Sequence, residues 1–378
     1  MAPVEESRVL KVAFDQQVFL LQEYGGISRY LCNLAKFFVQ MEGVEARIIA
    51  PLHFNKNLDA MHGLAGGGLL LPKVNTKLLR VAMAMSKRLA RFGINQYRPD
   101  ILHETYYSSD DYRPRGAKRV LTVYDLIHER YGNMFENSEG TTGPKKAAAL
   151  RADHVICISE STRRDLIDFC GVAKEKTSVI YLGTDVAFLG HEPLQEEIPT
   201  LARPFLLYVG NRDGYKNFSG FLKAFANSSR LKAEFDIVCF GGGPFQVEEK
   251  KMAASLGLDD DRLVHRAGSD QILANLYRGA AAFVYPSLYE GFGIPPLEAM
   301  AMGCPVISSD TSSLPEVVGD AGEYFDPMRV ESMTAAMERV TQSPSRSFEL
   351  VKLGRQQYRK FSWEKCAQET MMVYRSLL

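Results

Sequence analysis

Short apolar runs and longer segments of helical period alternate along this chain. Val9 to Phe14 reads as a first strand, and Gly25 to Phe38 as a glycine loop opening an amphipathic helix. Ala46 to Ala50 predicts a second strand, and Gly63 to Gly68 reads as a loop. Asp100 to Tyr107 and Val120 to His128 each read as a strand running into a polar loop. Ala152 to Ser159 is another strand, with helix-capping residues from Ser159 onward. His191 to Pro204 holds three prolines and little periodicity, which places an interdomain linker at 191–204. Strands follow at Phe205 to Gly210, Phe235 to Phe240, Ala281 to Tyr285 and Pro305 to Ile307. The stretch from Ala280 to Asp326 is strand, glycine-rich loop, helix, strand, a βαβ unit that points to an α/β fold.

Composition narrows the class without naming an activity. At 378 residues the chain has room for more than one domain. It is 46% apolar and 24% charged, ordinary for a globular enzyme. Lys+Arg and Asp+Glu are equal at 45 each, so no global basic field invites nucleic acid. The six cysteines are scattered without C-x-x-C spacing, which favours buried thiols over a disulfide framework or zinc site. The first residues are acidic and carry no apolar leader, and no apolar run approaches the ~18 residues that span a bilayer, so a cytoplasmic protein is expected.

The chemistry concentrates in Glu290-Gly-Phe-Gly-Ile-Pro-Pro-Leu-Glu298. Gly291 and Gly293 allow close backbone approach to a ligand, and Pro295 and Pro296 suit a first helical turn. The free N–H groups of that turn make an anion site, while two carboxylates beside it suit hydroxyl donors such as those of sugars. A phosphate loop with two solvated glutamates is the plainer reading, and the residues alone do not choose between them.

Pro286 through Val306 closely resembles the E-x7-E signature of glycosyltransferase family 4, a family of retaining enzymes, and the resemblance continues through Ser313 to Asp320. It implies a GT-B fold, two Rossmann-like domains with parallel sheets facing each other across a cleft. The domains would be 1–190 on the acceptor side and 205–360 on the nucleotide-sugar side, with a C-terminal helix, 361–378, crossing back to the first. The segment Tyr24-Gly-Gly-Ile-Ser-Arg29 resembles a subgroup associated with bacterial surface polysaccharides.

The resemblance also assigns roles. Arg212 and Lys216, delivered by a strand ending at Gly210, would bind the donor diphosphate. Glu290 would accept hydrogen bonds from the donor sugar, and Glu298 from the ribose. Gly25 and Gly26, with Gly291, Phe292, Gly293 and Ile294, would line the donor site, and His265 and Arg266 would lie by the base. The family commonly places a His-Asp pair after the second polar-ended strand. Here Tyr124 stands at the histidine position, followed by Asp125, with His128 three residues on, and which of these takes the polar role stays open. The relatives are metal-independent, so Asp259-Asp-Asp261 reads as turn chemistry, and no metal or cofactor is expected. The implied reaction moves a hexose, mannose from GDP-mannose being favoured, to a glycan or lipid-linked acceptor. A UDP-sugar donor and a non-catalytic nucleotide-sugar-binding subunit are the alternatives. Seven basic residues and no acidic one fall between Lys73 and Arg98, interleaved with Leu78, Met85, Leu89 and Phe92. That pattern fits either a surface helix or a peripheral contact with an anionic membrane.

Overall fold

The computed structural model describes residues 8–61, 63, 66–72, 76–135, 139–184, 203–212 and 214–378. It divides into two compact units, Met1–Gly183 with Trp363–Leu378, and Thr184–Ser362. The predicted linker lies outside the described residues apart from Arg203 and Pro204, as does Lys73 of the basic segment.

Unit 1 carries seven strands: β1 (Leu10–Phe14), β2 (Val44–His53), β3 (Gly66–Leu70), β4 (Ile101–Glu104), β5 (Lys118–Val123), β6 (His154–Cys157) and β7 (Thr177–Val179). Their order in the sheet is β3-β2-β1-β4-β5-β6-β7, and every described pairing is parallel. Parallel sheets are covered on both faces, so their strands read as near-continuous apolar runs. Val12, Ala13 and Phe14 of β1 are accordingly buried outright.

The Gly63–Gly68 segment differs from expectation. Gly66–Leu70 is the edge strand β3, paired with β2 at Ile48, Ile49, Leu52 and His53. Glycine is disfavoured in strands, which is why the run reads as a loop. Here it is needed for contact, because a Cβ on Gly68 would stand 2.0 Å from the Ala50 carbonyl oxygen.

The C-terminal helix, Trp363–Ser376, belongs to unit 1 and buries Trp363, Cys366, Ala367, Thr370, Met371 and Tyr374 on one face. That face packs on the Gly26–Phe38 helix: Tyr374 meets Phe38 at 5.6 Å between ring centres, and Trp363 meets Tyr30 at 6.1 Å. The Tyr374 hydroxyl also pairs with His103 Nδ1 at the end of β4, and His103 Nε2 lies 2.9 Å from Thr122 Oγ1.

Unit 2 holds β8 (Phe205–Val209), β9 (Asp236–Phe240), β10 (Leu263–Arg266), β11 (Ala282–Tyr285), β12 (Val306–Ser309) and β13 (Gly322–Phe325). The order is β10-β9-β8-β11-β12-β13, again parallel throughout. Both sheets are thus Rossmann-like, and each reverses its winding once, between β1 and β4 and between β8 and β11. In open α/β sheets ligands bind outside the carboxyl ends of the strands at that reversal.

His103 is wholly buried, and burial lowers its pKa to about 3. It is neutral in the fold, whereas in the unfolded chain it takes a proton below about pH 6.5. Its contribution to stability is therefore full above that pH and is lost as pH falls toward 3. Between pH 7 and pH 5 the urea midpoint followed by the single tryptophan, Trp363 in unit 1, should drop more in the wild type than in His103→Gln. Equal drops would contradict this.

Candidate active site

In unit 2 the loops after β8 and β11 meet at the reversal point. The β8 loop supplies Gly210, Arg212 and the Gly214–Lys216 turn; the β11 loop runs from Pro286 to Gly293. Lys216 Nζ donates to Glu290 Oε1 at 2.7 Å, so the two residues assigned to opposite ends of the donor are joined directly. The Tyr215 and Tyr285 rings lie 5.0 and 5.6 Å from the ammonium. Burial by itself lowers the Lys216 pKa, but Glu290 and the two tyrosines outweigh it and hold it well above the usual lysine value.

The β11 loop is held by hydroxyls that the sequence analysis did not single out. The Glu290 N–H donates to Ser312 Oγ at 2.9 Å, and Ser313 Oγ donates to the carbonyls of Glu290 and Phe292 at 2.8 and 2.7 Å. Ser309 Oγ holds the Ser287 carbonyl at 2.6 Å, and the Leu288 N–H reaches the Tyr215 carbonyl at 2.8 Å. The polar run Ser308-Ser-Asp-Thr-Ser-Ser313 after β12 was the available signal.

Gly293, at φ 114°, caps the Ile294–Ala301 helix, and a Cβ there would meet Leu314 Cδ2 at 2.8 Å. Pro295 and Pro296 sit in the first turn as expected, and Glu298 follows one turn in, half-buried. The Tyr277 hydroxyl lies 3.3 Å from Glu298 Oε2, a contact that fixes the carboxylate against the helix Asp270–Gly279.

Arg212 is placed differently from Lys216. Its Nε donates to Glu249 Oε1 at 2.6 Å, and its Nη groups reach the carbonyls of Gly241, Gly243 and Pro244 at 3.3, 2.6 and 3.2 Å. The guanidinium stacks on Phe245 at 4.7 Å, and only 6% of the side chain is exposed. It knits the glycine loop after β9 rather than standing free. His265 Nε2 lies 3.2 Å from the Gly241 carbonyl, and Arg266 Nη1 donates to the His265 carbonyl, so both belong to this same loop cluster.

The remaining predicted residues lie in unit 1. Gly25 precedes the Gly26–Phe38 helix without a side-chain cap, and Asn55 Nδ2 ties the Gln22 carbonyl just before it at 2.7 Å. Tyr124 is buried, packs edge-on to Tyr30 at 6.0 Å, and its hydroxyl has no hydrogen-bond partner among the described residues. Burial and the neighbouring Tyr30 raise its pKa far above the ordinary phenol value, so it is no base. Asp125 and His128 keep some exposure. Asp125 Oδ1 accepts the Ile127 N–H at 3.2 Å, and His128 packs on Phe135 at 4.3 Å between ring centres. The fully buried Lys145 anchors this turn through the Asp125 carbonyl and Glu129 Oε2, each at 2.9 Å.

Comparison with known proteins places this geometry. Residues 24–188 match the family described as Glycosyltransferase Family 4, and residues 192–357 that described as Glycosyl transferases group 1. O-antigen chain mannosyltransferase B of Escherichia coli is 29% identical over 372 residues, 93% of this chain and 96% of that protein. MMP alpha-(1->4)-mannosyltransferase of Mycolicibacterium hassiacum is 32% identical over 246 residues, 61% of this chain and 56% of the relative. Sucrose-phosphate synthase of Thermosynechococcus elongatus superposes with a TM-score of 0.72 at 21% identity, covering 97% of this chain and 99% of that one. Anabaena HepE, solved with UDP and glucose, gives 0.72 at 16% identity over 98% and 100% of the two chains. Those structural likenesses speak for the GT-B fold. With both halves matched and the E-x7-E stretch standing at the β11 loop, the chain belongs to glycosyltransferase family 4.

Proposed function

We propose that the chain is a retaining mannosyltransferase that takes mannose from GDP-mannose and passes it to a glycan or lipid-linked glycan acceptor of a bacterial surface polysaccharide. The observation that carries this is the Lys216–Glu290 pair at the β8/β11 reversal. A donor diphosphate replaces Glu290 as the partner of Lys216, and Glu290 is then released to accept hydrogen bonds from the mannose hydroxyls. As the bond from C1 to the β-phosphate oxygen breaks, charge grows on the diphosphate and Lys216 offsets it. The acceptor oxygen bonds to C1 on the same face, and its proton passes to the departing phosphate oxygen. Because Lys216 carries the charge role, the reading requires no divalent metal and no cofactor.

The other predicted residues have supporting parts. Glu298, held by Tyr277, accepts the ribose hydroxyls. The helix N-terminus near Ile294 supplies N–H groups to phosphate. Arg212 acts through the glycine loop it anchors, which shapes the wall beside His265 and Arg266 where the base lies. In unit 1, Asp125 takes the polar role, since Tyr124 is a buried neutral phenol. The mannose assignment draws on the mannosyltransferase names of the relatives. One observation favours a binding subunit without turnover, the replacement of the family's histidine by Tyr124; release of free nucleotide during incubation with donor separates the two.

We also propose that this enzyme works at the inner face of a membrane, docked through the helix Thr76–Tyr97. Among the described residues no helix is long and apolar enough to cross a membrane. This one instead exposes Leu78, Val81, Met85, Leu89 and Phe92, spaced as a single stripe, with Phe92 70% exposed. A continuous apolar stripe beside basic residues suits an anionic lipid surface. Arg80 and Arg88 make no ion pair among the described residues and flank it, whereas Lys87 and Arg91 are both taken by Asp110.

Two outcomes are expected. In EDTA, a panel of GDP- and UDP-linked hexoses at about 100 times Kd should raise the wild-type melting temperature by about 5 °C for one donor, and Lys216→Ala should abolish the shift. No shift with any donor would overturn the donor-site reading. In flotation assays the protein should rise with vesicles containing phosphatidylglycerol but not with pure phosphatidylcholine, and Leu89→Glu with Phe92→Glu should stay at the bottom. Equal behaviour of the variant and wild type would remove the membrane contact.

A further inference from the structure

Among the described residues, three that carry a side chain take the left-handed backbone that favours glycine: Arg98 at φ 53°, Asn217 at φ 55° and Ser312 at φ 52°. Arg98 lies in unit 1, in the turn that leads into β4. The other two flank the ion pair of unit 2. Asn217 follows Lys216 directly, and the Ser312 hydroxyl accepts the Glu290 N–H at 2.9 Å. A turn on its own would be served by glycine. Side-chain-bearing residues in this region gather where a structure holds a functional group against local preference.

At Asn217 the chain passes from the Gly214–Lys216 turn into the helix Phe218–Ala226. Its N–H closes the turn on the Gly214 carbonyl at 3.0 Å, and its carbonyl receives the Phe221 N–H at 3.1 Å. The side chain makes no cap bond to that helix. Its Nδ2 donates instead to the Pro327 carbonyl beyond β13, at 2.9 Å. Gly220 leaves the room for this, since a Cβ there would stand 2.3 Å from Asn217 Oδ1. Asparagine tolerates the left-handed region, and here an amide clamp keeps it there, which fixes the direction in which the neighbouring lysine leaves the chain.

Ser312 does the same for the carboxylate. Its left-handed turn after β12 sets two consecutive hydroxyls against both polar backbone groups of Glu290. Ser312 Oγ takes the N–H, and Ser313 Oγ donates to the carbonyl at 2.8 Å. Both bonds depend on the path of the chain at 312. We propose that Asn217 and Ser312 are positioning residues of the donor site, whose left-handed backbones fix where Lys216 meets the diphosphate and where Glu290 meets the sugar. The proposal rests on the donor-site reading above.

Alanine and glycine at each position test it, because both lose the same side-chain bond and only glycine keeps the left-handed region open. Calorimetric titration of the full chain uses GDP-mannose with GDP, and UDP-glucose with UDP, as probes. For whichever pair the wild type binds, Asn217→Gly and Ser312→Gly should stay within about threefold of wild type, and each alanine variant should bind the sugar nucleotide about tenfold more weakly than its glycine counterpart. The parent nucleotide separates the positions. Asn217→Ala should weaken it as well, whereas Ser312→Ala should leave it unchanged, because only the glutamate is disturbed. A purely structural role would lower the melting temperatures of the unliganded variants without this split. Should one alanine variant fail to fold, the other position decides, and a folded glycine variant that loses tenfold is itself a contradiction. Equal affinities of the alanine and glycine variants overturn the positioning role while the donor site stands. A wild type that binds neither pair sinks the donor site, and this inference with it.

Discussion

The ion pair between Lys216 and Glu290 is the interaction that joins the two loops at the reversal point of unit 2. A largely buried pair of this kind gains little net stability, because desolvation offsets most of the attraction, yet removing one partner typically costs about 3–5 kcal/mol. Its persistence is best understood as preorganisation. On the proposed function, each charge keeps the other in place until a ligand with the opposite pattern arrives, an anionic diphosphate for the lysine and a hydroxyl-rich ring for the glutamate. The exchange replaces one charge-assisted contact with two. The lysine arrives on the loop after β8 and the glutamate on the loop after β11, neighbouring strands at the one place where the sheet reverses its winding.

What keeps the pair in register is a set of small hydroxyls and main-chain bonds rather than more charge. Ser309, Ser312 and Ser313 tie down the carbonyls and N–H groups of the β11 loop, and the Tyr215 carbonyl links it to the lysine's own turn. Unit 1 solves the same problem with Thr105 and Gln17 around Asp15. In both units short side chains at strand ends satisfy backbone groups that no ladder can reach, leaving a carboxylate aimed by its surroundings.

How far this was legible varies with the range of the interactions. The βαβ unit around Glu290 was readable because its strand, glycine turn, proline-led helix and next strand are all set by neighbours in sequence. The C-terminal helix and its return to unit 1 were expected from the family resemblance alone, because its attachment through Tyr374 to His103 spans 271 positions and leaves no local mark. The sequence offered no sign that Arg212 pairs with Glu249, because the two are 37 residues apart. β3 was hidden by its glycines, since pairing with β2 rather than propensity makes it a strand.

The central claim is that Lys216 and Glu290 divide the donor between them, diphosphate to one and sugar to the other. Calorimetric titration of Glu290→Gln separates the halves, using the best-binding hexose nucleotide and its parent nucleoside diphosphate. The account predicts that the sugar nucleotide weakens about tenfold or more while the parent nucleotide binds at least as tightly as to wild type, because Lys216 has lost its competing partner. Equal weakening of both, or no change in either, would contradict it.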